Sequence, residues 1–326
     1  MRRRFSVSRS VPFAAGGRRV RWAAGPAAVV LGVALLAGGC FGGDGVQVEV
    51  KGKPGTKPTV TFPKKTDPDG GYAAKTLSDG KGRKVAAGDL VVADYVSYRW
   101  NGTQTRLLAN TYQSGVPMAF QTGKLVKGLE KALVGARPGS RVVARVPPED
   151  AYGSAGDPAH GVSAGDTLVY VLDVRASFGK DAVVPGRQQT LDDPSLPKVG
   201  QVSPGRQASV LMPRTAPPKA LKVQALVDGS GPAVAAGQLV AMQYQLMNWR
   251  DGRVLSSSWA DGEVHTAVAG REELVAGLDR ALVGRKTGSR LLVVVPPSLG
   301  KAPWRSRFRL AASDTLVFVV DVLGAY

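Results

Sequence analysis

The chain repeats itself at an offset of about 149 residues, and this limits what it can fold into more than any other feature. Leu77-Ser78-Asp79-Gly80 answers Leu226-Val227-Asp228-Gly229, and Ala86-Ala87-Gly88-Asp89-Leu90-Val91 answers Ala235-Ala236-Gly237-Gln238-Leu239-Val240. Ala132-Leu133-Val134-Gly135 recurs as Ala281-Leu282-Val283-Gly284. Gly139-Ser140-Arg141 recurs as Gly288-Ser289-Arg290, each followed by an apolar strand and a Pro-Pro pair. Asp166-Thr167-Leu168-Val169-Tyr170 recurs as Asp314-Thr315-Leu316-Val317-Phe318. Two copies at so long a period mean duplication of a whole domain, not a solenoid, and 326 residues suit about two domains. Thr59-Val60-Thr61-Phe62-Pro63 and Ser209-Val210-Leu211-Met212-Pro213 also correspond, which predicts one extra N-terminal strand per repeat.

Within each copy the pattern is strand-rich with one helix. Leu90 to Arg99 is a β-branched and aromatic run with partial alternation. Leu125, Val126, Leu129, Ala132 and Leu133 fall at helical spacing, with Gly135 as a C-terminal stop. Pro138-Gly139 is a turn, Arg141 to Val146 a strand, and Leu168 to Val174 a closing strand. The fold class is therefore α+β: two tandem domains, each an antiparallel β-sheet wrapped on one short α-helix, with the strand order left open. Asn101-Gly102 and Asp251-Gly252 read as hairpin turns, and Asp79 and Asp228, each before a glycine, as turn residues. Trp259 and Trp304 read as either core or partner contacts.

Outside the repeats the N-terminus reads as an address. Seven arginines and no acid precede residue 40, so they account for a large part of the formal charge of +18. Ala23 to Gly39 is apolar, ends in small residues, and is too short and too rich in glycine and proline for a comfortable membrane span. Leu36-Ala37-Gly38-Gly39-Cys40 resembles a bacterial lipobox, although Ala37 stands where such motifs favour leucine. That resemblance implies cleavage before Cys40, a thioether-linked lipid on its thiol, and a protein anchored at the outer face of the cell membrane. The arginine pairs leave both the general secretory and the twin-arginine routes open. The expected layout is a signal peptide over 1–39, a flexible lipid-anchored tether over 40–71, a first domain over 72–178, a linker over 179–205 and a second domain over 206–326.

Composition narrows the chemistry. Cys40 is the single cysteine, which rules out disulfides, CxxC redox pairs and cysteine-rich zinc sites. The two histidines, His160 and His265, are far apart in sequence, so no metal site and no cofactor is expected. The remaining basic residues are scattered, with no basic stripe and no nucleic-acid motif. They read as a solvated surface rather than a nucleic-acid interface.

The order of segments, read with their residues, is similar to the FKBP-type peptidyl-prolyl cis-trans isomerases over roughly 76–176 and 221–324. The first copy has Tyr95 on its first strand, then Leu108-Ala109-Asn110-Thr111-Tyr112 where the family carries a Phe-Asp element. Phe120, Leu125, Val126 and Leu129 stand around the helix. Pro148-Glu149-Asp150-Ala151-Tyr152-Gly153 matches the family's tyrosine loop, and Val162 and Tyr170 follow. The second copy offers Tyr244, Leu255-Ser256-Ser257-Ser258-Trp259, Leu274, Val275, Leu278 and Phe318, with the loop shortened to Pro297-Ser298-Leu299-Gly300.

The resemblance implies rotation of X–Pro bonds in proline-containing polypeptides. That rotation crosses a barrier of about 18–20 kcal/mol because twisting breaks amide resonance. The twisted state is less polar than the planar amide, so a dry aromatic and aliphatic pocket favours it, with no nucleophile, metal or acid-base pair. Leu129 and Leu278 would floor the two pockets where many members carry tryptophan, and Tyr152 would donate its hydroxyl to the substrate carbonyl. Tyr95, Leu108, Phe120, Leu125, Val126, Val162 and Tyr170 would make the walls. Tyr244, Leu255, Leu274, Val275, Leu299 and Phe318 are their counterparts.

Departures cut against full activity. The family's aspartate is Ala109 or Ser256, and its phenylalanine is Leu108 or Leu255. The second copy also has Leu299 in place of the donor tyrosine and Ala267 in place of Phe120. The first domain is thus the expected catalyst, with weak binding of tacrolimus-like macrolides, and the second a degenerate copy. The competing reading is a non-catalytic lipoprotein that holds peptides as a chaperone does. In plainer terms, Tyr95 and Tyr244 are equally at home as sheet core, and Leu125, Leu129 and Leu133 as helix core.

Overall fold

The computed structural model describes residues 45–102, 104–300, 305–306 and 308–326. The expected signal peptide, Cys40 and Trp304 therefore lie outside the described residues. The described chain opens with β1 (Glu49–Lys51) and β2 (Thr59–Thr61), an antiparallel pair. The first domain continues with β3 (Ala73–Ser78), β4 (Leu90–Trp100), β5 (Thr105–Asn110), α1 (Thr111–Ser114), β6 (Met118–Gln121), α2 (Lys127–Leu133), β7 (Arg141–Val146) and β8 (Thr167–Phe178). A second short pair, β9 (Lys198–Val199) with β10 (Val210–Leu211), precedes the second domain. That domain holds β11 (Lys222–Val227), β12 (Leu239–Asn248), β13 (Val254–Ser257), α3 (Ser258–Asp261), β14 (His265–Val268), α4 (Ala276–Leu282), β15 (Arg290–Val295) and β16 (Leu316–Ala325).

Each domain is one antiparallel sheet, in the order β3-β7-β8-β4-β5 and β11-β15-β16-β12-β13. β6 and β14 pair with the opposite halves of β4 and β12. The duplication holds at the level of register: Val91 faces Phe120 in one domain, and Val240 faces Ala267 in the other.

Period-two alternation sorts the side chains onto two faces. On β4, Val91, Ala93 and Tyr95 point toward α2, while Val96, Tyr98 and Trp100 point away. On β8, Leu168, Tyr170, Leu172 and Val174 take the helix face, and Val169 and Val171 the other. The helix approaches so closely that a Cβ on Gly128 would sit 2.2 Å from Cγ1 of Val146. Gly277 stands in the same relation to Val295, at 2.4 Å. Both helices are short because the residue before each, Val126 or Val275, has ψ near the extended range. The helical spacing of Leu125 and Val126 in the sequence is thus not a helix there.

The face away from the helix is covered by chain expected to be tether and linker. Val46, Val48, Val50, Val60 and Phe62 pack on Val96, Trp100, Val143, Val169 and Val171. Beneath them Arg141 and Asp173 form a buried ion pair, with Nε to Oδ1 at 2.6 Å and Nη2 to Oδ2 at 2.7 Å. The guanidinium also donates to the carbonyls of Gly52 and Thr56, and Asp173 accepts from the Gly55 N–H and the Tyr112 hydroxyl. The second domain repeats the device. Arg290 pairs with buried Asp321 and donates to Gln188, while the Val184 N–H donates to Asp321. Leu196, Val199, Val210 and Met212 then join Trp249, Trp259 and Val317 in a core on that face. The described part of the expected tether is therefore a docked hairpin, and the expected linker is a strap on the second domain. A buried arginine that still needs carbonyl acceptors explains both, because leaving it unsatisfied is costly. The extra strand expected in each repeat corresponds to β2 and β10, and Trp259 is core.

The two domains meet through an apolar cluster that draws Leu90 and Val92 from one and Leu239 and Ala241 from the other. The Phe178 and Tyr326 rings lie 6.5 Å apart within it.

Candidate functional site

The helix face of the first sheet does not fill completely. Where β5, the 148–162 loop and α2 diverge, a groove of about 740 Å³ opens. β4 supplies Tyr95 to it, β5 Leu108, β6 Phe120, α2 Leu129 and β8 Tyr170. The loop adds Tyr152 and Val162. Seven of the expected site residues thus converge. Leu125 and Val126 do not line the groove; they are half-buried against the same core at the start of α2. The walls missed at the sequence level include Ser97, Arg106, Met118, His160 and Leu168. Met118 could have been found from the pairing of β6, since it stands two residues from Phe120 on the same face.

The groove is dry at its base. Leu129, Phe120, Val162 and Tyr170 are all buried, and Tyr95 meets Phe120 edge to face at 5.3 Å. Tyr152 is carried by a turn at Pro148–Asp150 and by Gly153, which donates to the Pro148 carbonyl at 2.7 Å with φ of 58°. That left-handed conformation suits glycine. Asp150 ties the turn to α2 through Lys127 and Lys131, and these hydrogen bonds hold its carboxyl below the usual range. Across the loop, Asp157 and Val162 exchange backbone hydrogen bonds of 2.8 and 3.0 Å.

The phenols in the groove stay protonated. Burial pushes Tyr152 upward, with Asp157 adding to it, and burial then neighbouring Tyr152 do the same to Tyr95. Tyr170 is raised further, chiefly by burial. A neutral phenol is a hydrogen-bond donor, and the Tyr152 hydroxyl has no protein acceptor among the described residues.

The second domain has a smaller cavity of about 310 Å³. Tyr244, Leu274, Val275, Leu278 and Phe318 line it as expected. Leu255 and Leu299 pack against the adjoining core instead. Leu299 closes the turn at Pro297–Leu299 and aims no polar group inward. Residues not expected complete the wall: Met242, Leu246, Ser256, His265, Glu273 and Phe308. His265 pairs in register with Met242 just as Met118 pairs with Ala93. Its ring meets Tyr244 edge to face at 5.4 Å, replacing the contact Phe120 makes in the first domain. Although His265 keeps an exposed edge, desolvation by the surrounding wall lowers its pKa, and Glu273 pulls the other way. The Tyr244 hydroxyl lies 3.0 Å from Oγ of Ser256.

Two stretches, 81–175 and 231–323, match the family model for FKBP-type peptidyl-prolyl cis-trans isomerase. The chain belongs to this family. Among its curated relatives, an FK506-binding protein of Streptomyces anulatus is 28% identical over 109 residues, covering 33% of this chain and 88% of that protein. The peptidyl-prolyl cis-trans isomerase FKBP10 of Mus musculus is 24% identical over 235 residues, covering 71% of this chain and 34% of that one. The FKBP-type isomerase FkpA of Escherichia coli K12 is 30% identical over 115 residues, 34% of this chain and 41% of its own. Its crystal structure superposes with a TM-score of 0.30 at 28% identity, covering 33% and 48% of the two chains. The match thus spans about a third of the mouse relative and under half of the Escherichia coli one. As an FKBP-family chain, this protein carries two sheet-and-helix domains whose grooves occupy the same place in the fold.

Proposed function

We propose that the first domain catalyses cis–trans isomerisation of X–Pro bonds in polypeptide chains, while the second binds apolar segments with little or no turnover. The observation that carries this reading is the convergence of Tyr152, Leu129, Tyr95, Phe120, Val162 and Tyr170 on one groove. A proline ring fits against Leu129 and the aromatic walls. The neutral Tyr152 hydroxyl points the way for a substrate carbonyl and fixes the orientation of the peptide. Rotation then takes place out of water, where the less polar twisted amide is favoured relative to the planar one. Catalysis of this kind needs only differential binding of the rotated state, with no bond made or broken.

In the second domain Leu299 replaces the donor, His265 the aromatic wall, and Phe308 joins the lining. These features support holding over turning over. Tacrolimus-like macrolides should bind weakly, and only in the first groove.

The lipobox-like run ending at Cys40 supports export and lipid anchoring, with the substrates being proline-containing exported chains near the membrane. An isomerisation assay on the full chain, with and without Tyr152→Phe, tests the catalytic reading. Acceleration that the substitution weakens supports it. Peptide binding with no acceleration at high protein concentration gives the chaperone reading instead. Palmitate incorporation in cells, abolished by Cys40→Ser, tests the anchor; an unlabelled wild-type chain would remove it.

A further inference from the structure

The mouth of the first groove carries two carboxylates and two arginines, and only one of the arginines is engaged. Asp166 is engaged by Arg99, whose Nε lies 3.7 Å away, and by the Ser163 N–H at 2.6 Å. Asp157 is engaged by Nδ1 of His160 at 2.6 Å. Arg106, on β5, lines the same groove and is exposed. Among the described residues it has no hydrogen-bond or ion-pair partner. Its guanidinium stands over Gly161, where a Cβ would meet Nη1 at 3.8 Å and Cδ2 of Leu108 at 3.7 Å. The unengaged guanidinium therefore sits where the apolar wall gives way to solvent.

The second domain holds an arginine at the same place in its sheet. Arg106 faces Arg99 across the β4–β5 hairpin, and the Arg253 carbonyl accepts from the N–H of Asn248, the counterpart of Arg99. There Nη2 of Arg253 donates to the Phe308 carbonyl at 2.9 Å, and Phe308 lines the cavity. One arginine is tied to the wall of its pocket; the other lines its groove without such a tie.

We propose that Arg106 forms a carboxylate subsite at the mouth of the first groove, so that this domain prefers prolyl segments carrying Asp or Glu one or two residues from the proline. The inference rests on the isomerase reading of the groove and names its substrate class. A planar fork of donors suits a carboxylate. Gly161 under the fork and Val162 in the wall are neighbours, with Cα atoms about 3.8 Å apart, which sets the spacing. Because the site is exposed, the preference is modest, about three- to fivefold at low salt.

The test measures kcat/KM of the full chain on proline peptides that differ only in Glu or Gln beside the proline. The expected Glu/Gln ratio is about three to five, shrinking with added salt. It should fall to about one in Arg106→Gln and below one in Arg106→Glu. A wild-type ratio of one, or a ratio that Arg106→Gln leaves unchanged, overturns the subsite while leaving the isomerase reading intact. Should neither peptide be accelerated, the isomerase reading fails, and equilibrium binding of the same two peptides decides the subsite. Tighter binding of the Glu peptide that Arg106→Gln abolishes upholds it, and equal binding overturns it.

Discussion

The first and second domains pair equivalent strands in matching register and bury an Arg–Asp pair under a preceding segment of chain, Arg141–Asp173 in one and Arg290–Asp321 in the other. Each also presses a glycine of its helix onto a valine of the neighbouring strand, Gly128 on Val146 and Gly277 on Val295. Their grooves, by contrast, have parted. The first measures about 740 Å³, holds three tyrosines and is edged by an arginine with no partner among the described residues; the second measures about 310 Å³, with a histidine and a phenylalanine in its wall. The difference separates two kinds of constraint. Framework positions are held by burial, where a change costs several kcal/mol and is felt throughout the sheet. Positions at the rim of the groove, such as Arg106, Met118 and His160, are exposed, and residues exchange there at little cost to folding.

The largest effect expected is on the framework. Asp173→Ala leaves the Arg141 guanidinium buried without its partner, and should cost about 3–5 kcal/mol in denaturant unfolding. It should also expose the hairpin around Gly52 to protease, because the Gly55 N–H and the Tyr112 hydroxyl lose their acceptor. Asp321→Ala should act likewise on the second domain, releasing the strap at Val184. If either substitution were silent, the shared framework would lose its main support.

Next comes helix seating. Gly128→Ala and Gly277→Ala each overpack against a valine, at about 1–3 kcal/mol from unfolding curves. The first should also disturb peptide turnover, since Leu129 follows directly. Equal loss of stability but unequal loss of activity would sharpen the contrast between the domains.

Smaller still is Tyr152→Phe, which removes one donor while keeping the ring. Turnover should fall about three- to tenfold, the worth of about 0.5–1.5 kcal/mol for one hydrogen bond, with unfolding hardly altered. Last is a pH effect confined to the second domain. Desolvation by the surrounding wall depresses the pKa of His265, which keeps an exposed edge, below the usual imidazole value of 6.5, so the unfolded chain takes up a proton before the folded one does. Stability contributed by neutral His265 is present above about pH 6.5 and declines as the pH falls toward its lower folded value. His265→Met, the residue type at the matching position in the first domain, should flatten that decline in a thermal-melt series across pH.

Much of this was legible in the sequence because the duplication reported each strand twice. Arg141–Val146 stands where its apolar run placed it, and seven groove residues follow from the resemblance. The hairpin was hidden by composition. Val46, Val48 and Val50 alternate, but over a stretch too short to stand out among glycine, lysine and proline. Its docking depends on Arg141, about ninety residues away, which no local pattern reports. Leu125 and Val126 mislead by fitting helical spacing while the backbone at Val126 is extended. His265 was overlooked because the position of Phe120 maps to Ala267, and the aromatic contact moved two residues along β14 instead.

The central claim, that the first groove turns prolyl bonds and the second does not, is tested most directly by NMR exchange spectroscopy of a Leu-Pro peptide with the full chain. The account predicts cis–trans exchange faster than in free peptide, slowed by Tyr152→Phe, with peptide-induced shifts at the methyls of Leu129 and Val162. Exchange at the free-peptide rate, or acceleration accompanied by shifts at Leu274 and Leu278 alone, would contradict it.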